Sequence, residues 1–288
     1  MKSLFSRVVT ALVIGLIGLQ SAHAQSNQPL MTVAPGMVSY TYRASFAKDV
    51  AATLDTIKAL GITNMEFSNL FGRTAAEIRQ LLDERGMRCT SFGVGYPDLQ
   101  NKLAEVGKNA QTLGASFVRV AWVPHKGPFT LDLAKQTVAD FNSFGKQLKE
   151  QYGLTFCYHN HGYEFELHEQ GTLMDYIIQQ TNPDYVSFEI DILWTYFPGA
   201  DPAALISKYP TRFKLMHLKD LRKGVIGNLS GGTPVTNDVA LGTGQIDIPS
   251  VLRAARKSSI EHFYIEDESP SYATQVPQTI AYLKQLTN

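Results

Sequence analysis

Short apolar runs of β-type residues recur along this chain, and several of them turn polar at their carboxyl ends. The plainest is Leu154–Glu166, LTFCYHNHGYEFE, where an apolar run breaks off into His159-Asn160-His161, then Gly162 and the acids Glu164 and Glu166. Val186–Asp191 (VSFEID) ends in an acid, with Trp194 just beyond. Phe213–Asp220 (FKLMHLKD) ends in His217, Lys219 and Asp220, and His262–Glu268 (HFYIEDE) ends in three acids. Strands that become polar at their carboxyl ends are what a parallel barrel with its active site on the top face requires.

The spacing of the runs supports the same architecture. Strands are expected at Val38–Arg43, Asn64–Ser68, Arg88–Val94, Phe117–Trp122, within Leu154–Glu166, from Val186, from Phe213 and at His262–Glu268. Amphipathic helices are expected between them, at Ala47–Leu60, from Thr74 to Arg85, and at Asp98–Leu113, Leu131–Tyr152, Thr172–Gln180, Pro202–Lys208 and Ile248–Lys257, with a last one at Tyr272–Leu286. Thr74 with Glu77 three residues on forms a capping box, and Gly61, Gly86, Gly114 and Gly153 stop helices. Each helix carries the chain back so that the next strand runs parallel to the last. Eight such units predict a (β/α)8 TIM barrel rather than a doubly wound sheet. The glycine-rich dinucleotide signature is missing after strand one, where Tyr40-Thr41-Tyr42-Arg43 stands instead.

A chain of 288 residues fits one barrel of about 250 residues plus a short leader. Its first residues read as a secretory signal peptide over 1–24: the basic MKSLFSR, the apolar VVTALVIGLIGL, and Ala22-His23-Ala24 before Gln25. The apolar run is shorter than the about 20 residues of a spanning helix. A polar linker follows over 25–35, and the barrel over 36–288. The mature protein is thus expected to be exported, periplasmic in a two-membrane bacterium, with no membrane partner after cleavage. Cys89 and Cys157, both in expected strands, read as buried free thiols rather than a bridge. A formal net charge of zero gives no reason to expect nucleic acid as a partner. The pattern carries no signal of oligomeric state.

In a barrel the strand ends converge, so His159, His161, Asp191, His217 and Glu266 are expected to meet. Mixed nitrogen and oxygen donors suit Mn, Fe, Co or Zn better than Ca or Mg. A divalent metal bound to two neighbouring oxygens of a hydroxy-carbonyl acidifies the intervening C–H by stabilising an enediolate, and a base must then take the proton. Glu266 or a histidine would be that base. Lys219, two residues past His217 and so on the same side of the strand, would either neutralise an oxyanion or pair with an acid. Glu66 would bind sugar hydroxyls or cap the next loop. Trp122 and Trp194 would stack on a sugar or pack the rim. Glu164 would orient a histidine ligand. Gly242 and Gly244 in LGTGQID read as a tight turn rather than a phosphate loop, since no Lys or Arg flanks them closely. The irregular stretch Arg222–Gln245 reads either as a mobile lid over the site or as a loop elsewhere.

These motifs carry a resemblance. GITNMEF, TAAEIRQLLDERGM, YHNHGYEFE, EIDILWTYFPGADP, KLMHLKD, LGTGQIDIP and YIEDE together resemble the xylose-isomerase-like barrels, the sugar phosphate isomerases and epimerases related to family-2 apurinic endonucleases, over roughly residues 36–286. The resemblance implies a divalent metal, often Mn²⁺, held by Asp191, His217, Glu266 and a first ligand that in many epimerases is a glutamate. Those epimerases use that glutamate with the last one as bases on opposite faces of the substrate. Here His159 stands in its place, with His161 as the alternative, as in a YHNH subgroup that looks like isomerases or lyases acting on oxidised sugars. The implied activity is metal-dependent isomerisation or epimerisation, with Glu266, His159 and Lys219 in catalysis and Glu66, Trp122, His161, Trp194 and Lys219 around the substrate. Export points to an unphosphorylated sugar or keto-sugar. The alternatives are a lyase or hydratase acting on 3-keto-glycosides at the same metal site, or a catalytically inactive carbohydrate-binding barrel. A nuclease would need a basic face that this neutral chain lacks.

Overall fold

The computed structural model describes residues 29–287 apart from residue 32; the expected signal peptide and the first part of the linker lie outside the described residues. Eight parallel strands close into a barrel: β1 (Gly36–Val38), β2 (Asn64–Phe67), β3 (Arg88–Val94), β4 (Phe117–Val120), β5 (Thr155–His159), β6 (Val186–Asp191), β7 (Phe213–Leu218) and β8 (His262–Ile265). Each strand pairs with its sequence neighbours, and β1 closes the ring against β8. Eight main helices alternate with the strands: α1 (Val50–Ala59), α2 (Ala75–Glu84), α3 (Tyr96–Leu113), α4 (Leu131–Tyr152), α5 (Leu173–Gln180), α6 (Pro202–Lys208), α7 (Ile248–Ala255) and α8 (Tyr272–Gln285).

The local rules behind these elements are visible in the fold. The Thr74 hydroxyl accepts from the Glu77 N–H at 3.2 Å while the Glu77 carboxylate accepts from the Thr74 N–H at 2.7 Å, so α2 begins on a complete capping box. Ile78 and Leu82, one helical turn apart, are fully buried. Burying two such side chains contributes roughly 1.5–3 kcal/mol each. Both α3 and α4 end on a left-handed glycine, Gly114 (φ 79°) and Gly153 (φ 68°), a conformation that costs any other residue strain.

Strand one departs from expectation. It ends at Val38, and Ser39–Tyr42 forms a 3₁₀ turn where Val38–Arg43 reads as extended. Long-range hydrogen bonds account for this: the Ser39 hydroxyl accepts from the Ser68 N–H at 2.8 Å, and the Thr41 hydroxyl accepts from the Asp267 N–H at 3.0 Å. These tie the segment to the ends of the two strands that flank β1. Residues 29–31 also contact the barrel, with Leu30 buried and its N–H bonded to the Leu286 carbonyl at 3.0 Å. The Cys89 and Cys157 thiols are free and buried. No helix among the described residues is long and apolar enough to cross a membrane.

Strand alternation builds two layers inside the barrel. Val38, Phe117, Cys157, Leu215 and Tyr264 form a buried apolar plug. Two residues further along four of those strands come Arg119, His159, His217 and Glu266, on the same side by the period of two. The plug is a dry floor, and the polar layer stands on it.

Candidate active site

β6 supplies two carboxylates to the interior, Glu189 and, two residues on, Asp191. Register places them against histidines of the flanking strands: Glu189 pairs with His159 of β5, and Asp191 with His217 of β7. All four residues are at most 2% exposed. Glu189 Oε2 lies 3.1 Å from His159 Nδ1 and 3.1 Å from His217 Nε2. The far edges of both rings face Asp191: His159 Nε2 lies 3.7 Å, and His217 Nδ1 3.8 Å, from Asp191 Oδ2. Glu266 Oε2 lies 3.0 Å from the same His217 Nδ1.

Asp191 is held at both ends. Its backbone N–H donates to the Asn160 side-chain carbonyl at 3.1 Å, and its Oδ1 accepts from the Trp194 N–H at 2.9 Å, capping the short helix Ile192–Tyr196. Its Oδ2 is buried without a hydrogen-bond partner. An orphaned carboxylate oxygen is costly unless something positive meets it. Ligand atoms of Asp191, His217 and Glu266 lie within 4.8 Å of one another. The donor set and the orphaned oxygen fit a divalent cation.

The charges around this point are unbalanced. Glu66, Glu189, Asp191, Asp238, Glu266 and Glu268 surround Arg119, Lys219 and His217. Arg119 and Glu66 form a buried pair, with Nε–Oε1 at 3.0 Å. Burial opposes ionisation of Glu66, but Arg119 and His217 outweigh it and hold its pKa below the carboxylate range. Burial likewise opposes charge on Glu266, and Lys219 with His217 hold it low. Asp191 is different: burial pushes it up to about 7 against the pull of Lys219 and His217. Burial, with Glu66 nearby, pushes Glu189 up to about 7 as well. Burial, with the neighbouring His217, keeps His159 neutral, far below the histidine range. Burial opposes charging of His217, but Glu189, Glu66 and Glu266 hold it well above that range.

Lys219 is buried among four acids. Its Nζ lies 2.7 Å from Glu268 Oε1, 3.4 Å from Glu266 Oε2, 3.6 Å from Asp238 Oδ2 and 4.0 Å from Asp191 Oδ2, and 5.4 Å from the Trp194 ring centroid. Asp238 comes from the far end of the irregular 222–245 stretch, whose base is closed by pairing of Asp220–Leu221 with Asp238–Val239. Gly242 and Gly244 turn there, their N–H groups donating to Asp220 Oδ2 at 3.0 and 2.9 Å. That carboxylate occupies the donors a phosphate would need.

Above the polar layer opens a cavity of about 320 Å³, lined among others by Arg119, His159, His161, Trp194, His217 and Glu266. His161 stacks on Trp194 with centroids 5.6 Å apart, and its Nδ1 is buried without a partner. Burial and the Lys219 charge push His161 down to about 3, so its ring is neutral. Trp122 is 41% exposed and stacks on His125 outside the cavity lining. Glu66 lies beneath the cavity floor, engaged with Arg119, Ser91 and His217. Glu164 touches no histidine ring, contrary to expectation. It accepts from the backbone N–H of His161 at 3.0 Å and of Gly162 at 2.7 Å, and from the Tyr158 hydroxyl, so it shapes the loop after β5. A carboxylate three residues after His161, beside the left-handed Gly162, meets the local amides before any ring.

The sequence model of the xylose isomerase-like TIM barrel family matches residues 54–286. The chain belongs to that family. Among its relatives, an inosose dehydratase from Geobacillus kaustophilus is 24% identical over 196 residues, covering 60% of this chain and 62% of that protein. The chain therefore spans about three fifths of the length of this curated relative. A sugar phosphate isomerase/epimerase from Parabacteroides distasonis superposes with a TM-score of 0.70 at 23% identity, covering 92% of this chain and 96% of its own. The IOLI protein, solved with a bound zinc atom, superposes with a TM-score of 0.69 at 15% identity, covering 88% of this chain and 96% of its own. At these identities the superpositions establish the shared barrel.

Two central residues of this xylose isomerase-like barrel, Arg119 and Glu189, are absent from the sequence-based set. Both carry a signal. Each is a charge inside a short apolar strand, FVRV and VSFEID, and charges so placed are seldom buried without partners.

Proposed function

We propose that this protein is a divalent-metal-dependent isomerase or epimerase of an unphosphorylated sugar or keto-sugar, working by proton abstraction beside a carbonyl. The observation that carries the reading is Asp191 Oδ2, buried without a hydrogen-bond partner and faced by the far edges of two histidine rings. His159, Asp191, His217 and Glu266 are the residues that would hold the cation. Bound there, a divalent cation would polarise a hydroxy-carbonyl and acidify the C–H between its oxygens.

The remaining roles belong to the chain. Glu266 lines the cavity and is kept ionised by Lys219 and His217, the state a general base needs. Lys219, a fixed positive charge behind Glu266, would offset negative charge growing on the substrate. His161, neutral and half-buried against Trp194, offers an unpartnered nitrogen to a sugar hydroxyl. Arg119, a cation of the lining, is already paired with Glu66 and Glu189, which favours a neutral substrate over a phosphorylated one.

A second reading keeps the site and changes the outcome: a lyase or dehydratase, in which a leaving group departs after the same proton is taken. Its support is a histidine at the first ligand position and the kinship with inosose dehydratases.

The test is metal content of the purified protein after loading with Mn²⁺, Co²⁺ or Zn²⁺, beside Asp191→Asn and His217→Ala. About one ion per chain in the wild type, lost in both variants, supports the centre; no bound metal sinks it. Keto-sugars incubated in D₂O then divide the readings. Deuterium beside the carbonyl of an intact sugar marks an isomerase or epimerase, and an unsaturated product marks a lyase.

A further inference from the structure

Glu189 contributes one oxygen, Oε2, to three nitrogens: Arg119 Nε at 3.3 Å, His159 Nδ1 at 3.1 Å and His217 Nε2 at 3.1 Å. The side chain is fully buried and its other oxygen has no partner. Arg119 is always a donor, so Oε2 is an acceptor that gathers N–H groups. Each histidine nitrogen turned toward it must then carry a proton. In a neutral imidazole the opposite nitrogen is left with a lone pair. For His159 that nitrogen is Nε2, which faces Asp191 Oδ2. His217 is held protonated by the acids around it, and its Nδ1 is shared between Glu266 Oε2 at 3.0 Å and Asp191 Oδ2 at 3.8 Å.

We infer that Glu189 is the positioning residue of this centre: it fixes His159 with its Nε2 lone pair on the Asp191 side and, together with Glu66, holds the His217 ring by its Nε2. The inference rests on the metal reading above and adds the residue that prepares the two nitrogen ligands. Such outer partners fix the tautomer and ring angle of a ligating histidine. The layout follows from strand geometry: on β6, Asp191 is the ligand and Glu189, one pleat below, holds the rings of β5 and β7 from beneath. Atoms of His159, Glu189 and His217 also lie close enough to surround an ion themselves. Against that arrangement, the Arg119 guanidinium beside Oε2 repels a cation, whereas Asp191 Oδ2 has a free oxygen to offer.

The experiment uses ¹⁵N-histidine protein at pH 8, with ring tautomers read by long-range ¹H–¹⁵N correlation, and Zn²⁺ affinity measured by competition with a chelator. The variants are Glu189→Met, which removes the acceptor, and Glu189→Gln, which can keep an oxygen in place and put its NH₂ where Oε1 has no partner. Metal-free wild type is expected to show His159 protonated on Nδ1. Glu189→Gln should keep this form and bind Zn²⁺ nearly as well. Glu189→Met should lose the single tautomer and bind Zn²⁺ roughly 10–100-fold more weakly, still at one ion per chain. Wild-type His159 protonated on Nε2, or a folded Glu189→Met variant with wild-type affinity, overturns the inference. So does complete loss of the ion in both variants, which would make Glu189 a ligand. If Glu189→Met does not fold, the wild-type tautomer alone still decides. Failure of the wild type to bind Zn²⁺ overturns the metal reading instead, and the metal-free tautomer measurement separates the two.

Discussion

Asp220 and Gly244 lie 24 residues apart in sequence, yet the Gly244 N–H donates to Asp220 Oδ2 at 2.9 Å. The same carboxylate accepts from the N–H groups of Gly242 at 3.0 Å, Ile246 at 3.1 Å and Leu221 at 2.9 Å. It is the anchor of the stretch after β7, which in turn carries Asp238 to Lys219. A Cβ on Gly244 would lie 2.2 Å from Asp220 Oδ1, so the approach requires glycine. Asp220→Ala leaves these amides without an acceptor, and charged hydrogen bonds of this kind contribute about 1.5–3 kcal/mol each. Urea unfolding is expected to show a loss of at least about 3 kcal/mol, and limited proteolysis should cut first within 222–245. A variant as stable and resistant as the wild type would show that the loop holds itself.

Glu266→Gln preserves the shape of the cavity wall and removes the base. Turnover of an accepted keto-sugar should fall roughly 10²–10⁴-fold. Because the glutamine cannot accept a proton, exchange of the substrate C–H with D₂O should fall in parallel with turnover. Exchange that persists while turnover falls would assign the proton transfer to another group, with His161, neutral and in the cavity lining, the candidate.

Glu164 supplies a pH dependence outside the ligand set. Burial raises its pKa from 4.5 to about 7 in the folded protein, more than its donors Tyr158, His161 and Gly162 lower it. The folded state therefore binds a proton more tightly than the unfolded chain between those values, and stability falls as pH rises through that window. Glu164→Gln cannot titrate. The stability difference, wild type minus variant, should be larger at pH 5 than at pH 8 in denaturant titrations of metal-free protein. A difference that is unchanged, or larger at pH 8, refutes this account.

Export is a proposal from residues outside the described part of the chain. Expression in a two-membrane bacterium should deliver a periplasmic protein whose amino terminus, read by Edman sequencing, begins at Gln25. An amino terminus at Met1 with membrane-bound protein would replace the signal peptide by an anchor.

The chain's own pattern was sufficient for the architecture. Alternation within strands, the Thr74 capping box and glycines after helices are local rules, each satisfied within a few residues, and they yield β3, β6, α4 and α6 at the bounds read from sequence. The same alternation, with polar strand ends, singled out His159, Asp191, His217 and Glu266, which the barrel brings together. What it left out depends on contacts between distant strands. Strand one stops early because the ends of its two flanking strands, at Ser68 and Asp267, bond to Ser39 and Thr41 just beyond it. Arg119 finds Glu66 from a strand two places away, and Glu189 finds both histidines only through the register of β5, β6 and β7. A charge within an apolar strand announces that it needs a partner, because leaving it buried alone costs several kcal/mol. Which partner it meets is decided by ring closure and register, and only the tertiary structure sets those.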